Sequence, residues 1–274
     1  MPDIASLLPV ILLLLGIGAF AGVLAGLLGV GGGIVLVPAF YYAFLGLGYE
    51  NPQIMQVCVA TSLATIIVTS IRSVSSHNKK GAVDWQILKT WAPGIAIGAI
   101  IGVLIATDLQ SRAMVLIFGC LGICVGLYMA FGRSEWVIGD EMPKGFARAS
   151  LSTIVGFLST LMGIGGGSFG VPLMTLHARP IHSAVATAAG FGLLIALPSA
   201  IGFLIANPPQ ENLPPYTVGY VNTPAFALII LMTTFTAPLG AALAHRLNVK
   251  TLKRVFAVFL TVVAANMLRQ GFWG

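Results

Sequence analysis

Ten apolar runs divide this chain, and the longer ones extend for about 20 residues almost without charge, the length a helix needs to cross a bilayer. A closed β-barrel is the other structure that lipid permits. Its strands alternate apolar and polar residues over short segments, so continuous runs point to helices. Charged residues make up 8% of the 274, against roughly a quarter in soluble domains, too few to clothe a soluble fold. The fold class expected is an all-α polytopic membrane protein with no separate soluble domain. The formal charge of +6 is gathered in short connections between the runs, where Lys and Arg set topology. The lipid bilayer is the partner implied, and nucleic acid is not.

The runs fall into two series of five. The first covers 5–28, 32–47, 54–76, 85–107 and 112–131; the second covers 147–164, 167–178, 183–206, 222–244 and 252–270. Gly29-Val-Gly-Gly-Gly-Ile-Val-Leu-Val-Pro38 and Gly163-Ile-Gly-Gly-Gly-Ser-Phe-Gly-Val-Pro172 share the pattern G-x-G-G-G-x-x-x-V-P at an offset of 134. Val59-Ala60-Thr61 answers to Val185-Ala186-Thr187 at offset 126, and Gly81–Asp84 to Gly219–Asn222 at 138. Leu109–Arg112 answers to Leu247–Lys250, also at 138. Four matches in one order define a repeat, and the polar stretch from Arg133 to Lys144 divides it into 1–135 and 136–274.

Orientation follows from Lys and Arg in short loops. Lys79 and Lys80 mark one inner connection, and Arg246, Lys250, Lys253 and Arg254 another, whereas 46–53 and 207–221 carry neither residue type. The resulting path leaves both termini on the extracytoplasmic side and turns the second half upside down. No Lys or Arg precedes Arg72, so a cleavable signal peptide is not expected. The expectation is two inverted-topology repeats of about five hydrophobic helices or half-helices each, broken at the glycine motifs. That is the architecture of many secondary transporters, whose site lies between the repeats near the midplane.

A glycine-rich break leaves backbone groups without partners in lipid, and it persists where it lines a cavity or packs against protein. The helix that follows offers free N–H groups and a positive dipole end to an anion. Tight helix packing is the other use of such glycines; their duplication in both halves favours a substrate cavity. The candidate substrate-binding residues are Gly31, Gly32, Gly33, Thr61, Ser62, Gly165, Gly166, Gly167, Ser168 and Thr187. Hydroxyls in membrane helices often bond their own backbone, but Thr61 and Thr187 hold matching repeat positions.

The paired G-x-G-G-G-x-x-x-V-P motifs, each followed by an Ala-Thr helix, resemble the sulfite exporter TauE/SafE family of bacterial permeases over nearly the whole chain. The resemblance implies carriage of sulfite, an organosulfonate such as sulfoacetate, or a related sulfur anion, across a bacterial inner membrane. Ile34 stands where the second motif has Ser168, so the half-sites differ chemically.

The function expected is a secondary permease for small anions, working by alternating access. No G-x-x-x-x-G-K-[ST] motif occurs, so energy would come from the substrate gradient or a coupling proton or sodium ion. Arg72, His177, Arg179 and His182 are candidates for entrance or coupling, set against snorkelling and simple loop marking. Asn222 and Asn266 are read as polar groups satisfied between helices. Cys58, Cys120 and Cys124 are read as buried small hydrophobes, and neither a metal site nor a cofactor is expected. An anion channel is the competing class. Gly166–Gly170 also fits the G-x-S-x-G pattern of a serine hydrolase, although that pattern needs a strand–turn–helix setting.

Overall fold

Helix follows helix along nearly the whole chain, in a computed structural model that describes residues 4–28, 32–132, 136–243 and 249–273. The first half holds α1 (Ile4–Leu28), α2 (Gly33–Gly46), α3 (Ile54–Asn78), α4 (Trp85–Asp108) and α5 (Ser111–Phe131). The second holds α6 (Gly145–Met162), α7 (Gly167–Thr175), α8 (Ile181–Ile205), α9 (Thr223–Leu243) and α10 (Val249–Trp273). The expected runs match these bounds to within three residues at every edge. A two-residue antiparallel ladder, β1 (Thr217–Val218) with β2 (Val221–Asn222), pairs Thr217 with Asn222 ahead of α9.

Six helices, α3, α4, α5, α6, α8 and α9, are long and apolar enough to cross a membrane. Large side chains such as Ile100 and Leu104 of α4 and Phe235 and Leu239 of α9 lie exposed on the outer faces, the surface a bilayer requires. The protein is a multi-pass helical membrane protein. At 1.5 Å per residue, α2 and α7 reach only about 21 and 13 Å, short of the roughly 30 Å of hydrocarbon. They are half-helices.

The most extensive helix pairings all join the two halves: α1 with α9, α4 with α6, α5 with α10, and α3 with α8. Glycines allow this closeness. Gly18, Gly22 and Gly26 of α1 face Ile229, Thr233 and Ala237 in turn, so α1 and α9 run parallel. Gly94, Gly98 and Gly102 of α4 meet Ala149, Thr153 and Phe157 of α6 the same way. By contrast Gly119, Gly122 and Gly126 of α5 meet Leu268, Ala264 and Thr261, a descending order that makes α5 and α10 antiparallel. Exchanging α1 with α6, α2 with α7, α3 with α8, α4 with α9 and α5 with α10 turns each major pairing into another, or into itself. This is the packing that two inverted copies of one unit produce.

The two connections without Lys or Arg meet at one end of the bundle. Asn51 Nδ2 donates to Pro209 O at 3.0 Å, and Asn212 Nδ2 to Gly48 O at 3.3 Å. Gln53 bonds Tyr220 across the same seam. At the other end Ile138 N donates to Leu176 O at 2.7 Å, so the connection between the halves lies over the end of α7. One expectation needs correction. Cys58 is buried, but Cys120 and Cys124 are exposed on α5, because the apolar surface of a membrane helix can face lipid as readily as the core.

Candidate substrate site

The chain breaks where a side chain would be strained. Gly32 takes a left-handed conformation with φ 75°, and its carbonyl accepts from Val35 N at 3.0 Å and Leu36 N at 3.2 Å to open α2. Gly31 lies outside the described residues. In the second half the left-handed residue is Gly163, φ 65°. Gly163 N donates to Thr160 O and Ile164 N to Ser159 O, each at 3.0 Å, closing α6 before α7 begins.

The two breaks meet. A Cβ added to Gly33 would lie 2.2 Å from the Gly163 carbonyl oxygen and 2.9 Å from Ser62 Oγ. Ser62 Oγ donates to that same carbonyl at 2.7 Å. Residues far apart in sequence thus form one contact of backbone on backbone. Gly166 is equally confined, since its Cβ would stand 2.2 Å from Phe191 Cβ; Gly165 and Gly167 are buried beside it. Ser168 opens the first turn of α7 at 3% exposure, and its hydroxyl has no hydrogen-bond partner among the described residues. Beside it stand the first N–H groups of α7, which have no acceptor within the helix. Unpaired donors and a positive helix end suit an anion.

Thr61 and Thr187 are fully buried, and their hydroxyls perform one task twice. Thr61 Oγ1 accepts from Asn222 N at 2.9 Å, and Thr187 Oγ1 accepts from Asp84 N at 2.9 Å. Asp84 and Asn222 are repeat mates that cap their helices. Asp84 Oδ1 accepts from Gln86 N at 3.1 Å and Ile87 N at 3.0 Å. Asn222 Oδ1 accepts from Ala225 N at 3.1 Å. Each threonine therefore holds the entry of a helix in the opposite half.

The entrance candidates stand apart from this centre. Arg72 is exposed on α3. His177 lies beyond the end of α7, about 13 Å of helix from the break, and its Nδ1 meets Leu173 O at 2.8 Å. His182 is exposed at the start of α8, and Arg179 is half-buried between them. Glu141 sits close enough to feel Arg179. The Lys144 ammonium, by its hydrogen bond and then its charge, holds the Glu141 carboxyl below its usual value, and Arg179 adds a smaller pull. The group belongs to the connection between the halves rather than to the glycine centre. The hydrolase geometry is likewise not met: Ser168 is the second residue of a helix, and no strand leads into it among the described residues.

Ser62 belongs to a longer buried polar stripe on α3, whose Thr69, Ser73 and His77 the sequence reading does not single out. Ser62, Thr65, Thr69, Ser73 and His77 are each at most 2% exposed. Their three- and four-residue spacing was the available signal. Thr65 and Thr69 donate to carbonyls of their own helix, and His77 Nε2 meets Gly26 O of α1 at 3.2 Å. Asn266 does pair between helices, donating to Tyr42 OH at 2.6 Å.

The sequence matches the family described as Sulfite exporter TauE/SafE over residues 14–267. A probable membrane transporter protein of Haemophilus influenzae is 34% identical over 257 residues, covering 94% of this chain and 97% of the relative. The probable membrane transporter protein YunE of Bacillus subtilis is 26% identical over 281 residues, covering 95% and 98%. No solved structure matches.

Proposed function

The chain belongs to the sulfite exporter TauE/SafE family of membrane transporters, and we propose that it carries sulfite, an organosulfonate such as sulfoacetate, or a related sulfur oxyanion by alternating access. The observation that carries this reading is the buried Ser168 hydroxyl at the head of half-helix α7, which has no hydrogen-bond partner among the described residues. A sulfonate would there accept from the Ser168 hydroxyl and from the first N–H groups of α7 and α2. Backbone donors suit the task because a fixed buried arginine is expensive in a membrane.

The reading divides the chain into repeats 1–135 and 136–274, inserted in opposite orientations in a bacterial inner membrane with both termini outside. Movement of one against the other would exchange access between the bundle's two ends. The Thr61–Asn222 and Thr187–Asp84 bonds lie on opposite sides of the centre, one at each helix entry. Opening either side loosens its own bond and keeps the other, so the two states resemble each other in energy. A coupling proton or sodium ion would supply the driving force, and Arg72, His177, Arg179 and His182 would act at the entrance. An anion channel is the competing reading, and saturable, trans-accelerated uptake separates the two.

The test is uptake of labelled sulfite and sulfoacetate into proteoliposomes, with chloride and taurine as controls. Saturable uptake, accelerated by the same anion inside and lost in Gly166→Leu, is the expected result. Linear flux without acceleration from the far side would replace the carrier with a channel. No flux of any sulfur anion by folded protein, under imposed proton and sodium gradients, would remove the substrate class.

A further inference from the structure

The two ends of the bundle are latched by matching bonds, but only one latch holds a group that changes charge near neutral pH. At the end carrying Lys79 and Lys80, His77 O accepts from Ala82 N at 3.3 Å, Gly81 turns left-handed with φ 66°, and Asp84 N reaches Thr187 Oγ1. At the other end Phe203 O accepts from Tyr220 N at 3.0 Å, Gly219 turns with φ 55°, and Asn222 N reaches Thr61 Oγ1. His77 thus stands where the inverted copy has Phe203, and Asp84 where it has Asn222. We propose that His77 binds a proton that fastens the Asp84–Thr187 latch, a device the Asn222–Thr61 latch lacks. Under the carrier reading above, on which this part of the proposal rests, it is the coupling proton.

Among the described residues His77 is the one His, Asp, Glu, Lys or Arg that is buried, at 2% exposure near the end of α3. An ionisable side chain enclosed in a membrane span is expensive, and such residues mark proton and ion pathways. Its Nε2 lies 3.2 Å from Gly26 O. A carbonyl only accepts, so Nε2 carries a hydrogen and the second ring nitrogen is the one that gains or loses the proton. Gly26 is among the last four residues of α1, whose carbonyls the helix leaves without donors and where its dipole is negative. Burial opposes a charge on the ring, and that helix end offsets it. A charged ring donates more strongly than a neutral one. Protonation therefore ties the end of α3 to α1 and, through the turn from His77 O to Ala82 N, holds Asp84 against Thr187.

Little else at this end changes charge in the same range. The helices α1 and α9, which meet at Gly26, carry no Asp, Glu, Lys, Arg or His between Ile4 and Leu28 or between Thr223 and Leu243. The groups on the remaining neighbours are Arg72, Lys79, Lys80, Lys89 and His182, all exposed, and Asp84, half-buried in the latch. His245 and Arg246 lie outside the described residues. Asn78, Lys79 and Lys80 follow His77 directly and are exposed, which gives the ring a short route to water. At the opposite latch the corresponding place is filled by rings: Phe203 is fully buried and packs edge-to-face on Tyr220 at 5.8 Å.

The experiment is thiol labelling of the full-length protein in detergent, its native cysteines replaced by alanine and one cysteine introduced at Val83 or at its repeat mate Val221. Thiolate formation speeds labelling with pH at any site, so the ratio of the Val83→Cys rate to the Val221→Cys rate isolates the latch. The fastened state binds the proton more tightly, so its extra hold is present at low pH and lost as pH rises. The ratio should rise roughly fivefold between about pH 5.5 and about pH 8, the difference between a charged and a neutral hydrogen bond across the imidazole range. His77→Gln keeps an amide donor for Gly26 O and does not titrate, so its ratio should stay flat. A flat ratio with His77 in place would overturn the assignment and leave the ring a plain tether, and so would an undiminished rise in His77→Gln. Labelling needs no substrate, so failure of the latch and failure of anion uptake are read separately. In proteoliposomes a trapped pH dye should report protons moving with labelled sulfite or sulfoacetate; saturable uptake without proton movement would remove the coupling role.

Discussion

The two glycine motifs are alike in sequence and unlike in structure. In the first, Gly32 is left-handed and launches a 14-residue half-helix. Its counterpart Gly166 is right-handed, with φ −65°, and launches one of nine residues. A Cβ on Gly32 would lie 3.0 Å from the Ala21 carbonyl oxygen and one on Gly166 2.2 Å from Phe191 Cβ, each within its own half, while Gly33 is pressed against the backbone of the other half at Gly163. Ile34 fills with hydrocarbon the place where Ser168 leaves an unpaired hydroxyl. A size exchange accompanies this. The first half has Leu36 and Thr65 where the second has Gly170 and Phe191. A Cβ on Gly170 would lie 2.8 Å from the Phe191 ring, which is itself stacked on Trp91 at 6.1 Å. Each half fills a similar volume with a different pair. The two halves are thus chemically unequal at matching positions, with the unpaired hydroxyl at the head of α7 and hydrocarbon at the head of α2.

The largest effect should come from the backbone contact. Gly33→Ala places a methyl group 2.2 Å from a carbonyl oxygen, which no side-chain rotation relieves. Loss of both transport and folded yield is expected, checked by size-exclusion chromatography and uptake. Phe191→Thr removes a buried ring and should cost roughly 3 kcal/mol. Gly170→Leu alone should be damaging through its clash with that ring. The double variant should recover part of the loss in a thermal-unfolding cycle; strict additivity would break the size-exchange reading. Thr61→Val and Thr187→Val each leave a cap N–H without its acceptor, at about 1–3 kcal/mol. Because the two bonds sit at opposite ends, the variants should shift accessibility to opposite sides, measured by labelling of cysteines introduced at each end. The smallest change in stability belongs to Ser168→Ala, which deletes a hydroxyl that bonds nothing and should leave melting within about 1 kcal/mol of wild type. The same variant should weaken substrate affinity roughly tenfold, while Ile34→Ala leaves affinity unchanged.

Much of this architecture can be read from residue order. Apolar run length gives the helices, and the matches of Gly29 with Gly163 and of Thr61 with Thr187 give the halves. The short reach of α2 and α7 follows from where the glycines and the next polar connection fall. The partners of Thr61 and Thr187 were not legible, because each bond reaches across more than a hundred residues to a backbone N–H, which carries no side-chain signature. The contact of Gly33 with Gly163 is hidden for the same reason. His177, Arg179 and His182 lie close to the second glycine motif in sequence. The sequence reads them as entrance or coupling candidates in the connection after α7, and the rigid length of that helix sets them about 13 Å of helix away from the glycine break.

The crossed threonine bonds bear on how such a chain could arise. Thr61 completes a cap in the second half, and Thr187 completes one in the first. A polypeptide holding one unit could satisfy the same bonds by pairing with a copy of itself threaded through the membrane in the opposite sense. A fused gene fixes the two orientations permanently, and it frees the copies to diverge, as Ile34 and Ser168 have done. Expressed apart, the halves would be expected to reassemble only when inserted from opposing directions, each lacking a hydrogen-bond acceptor that its inverted sister alone provides.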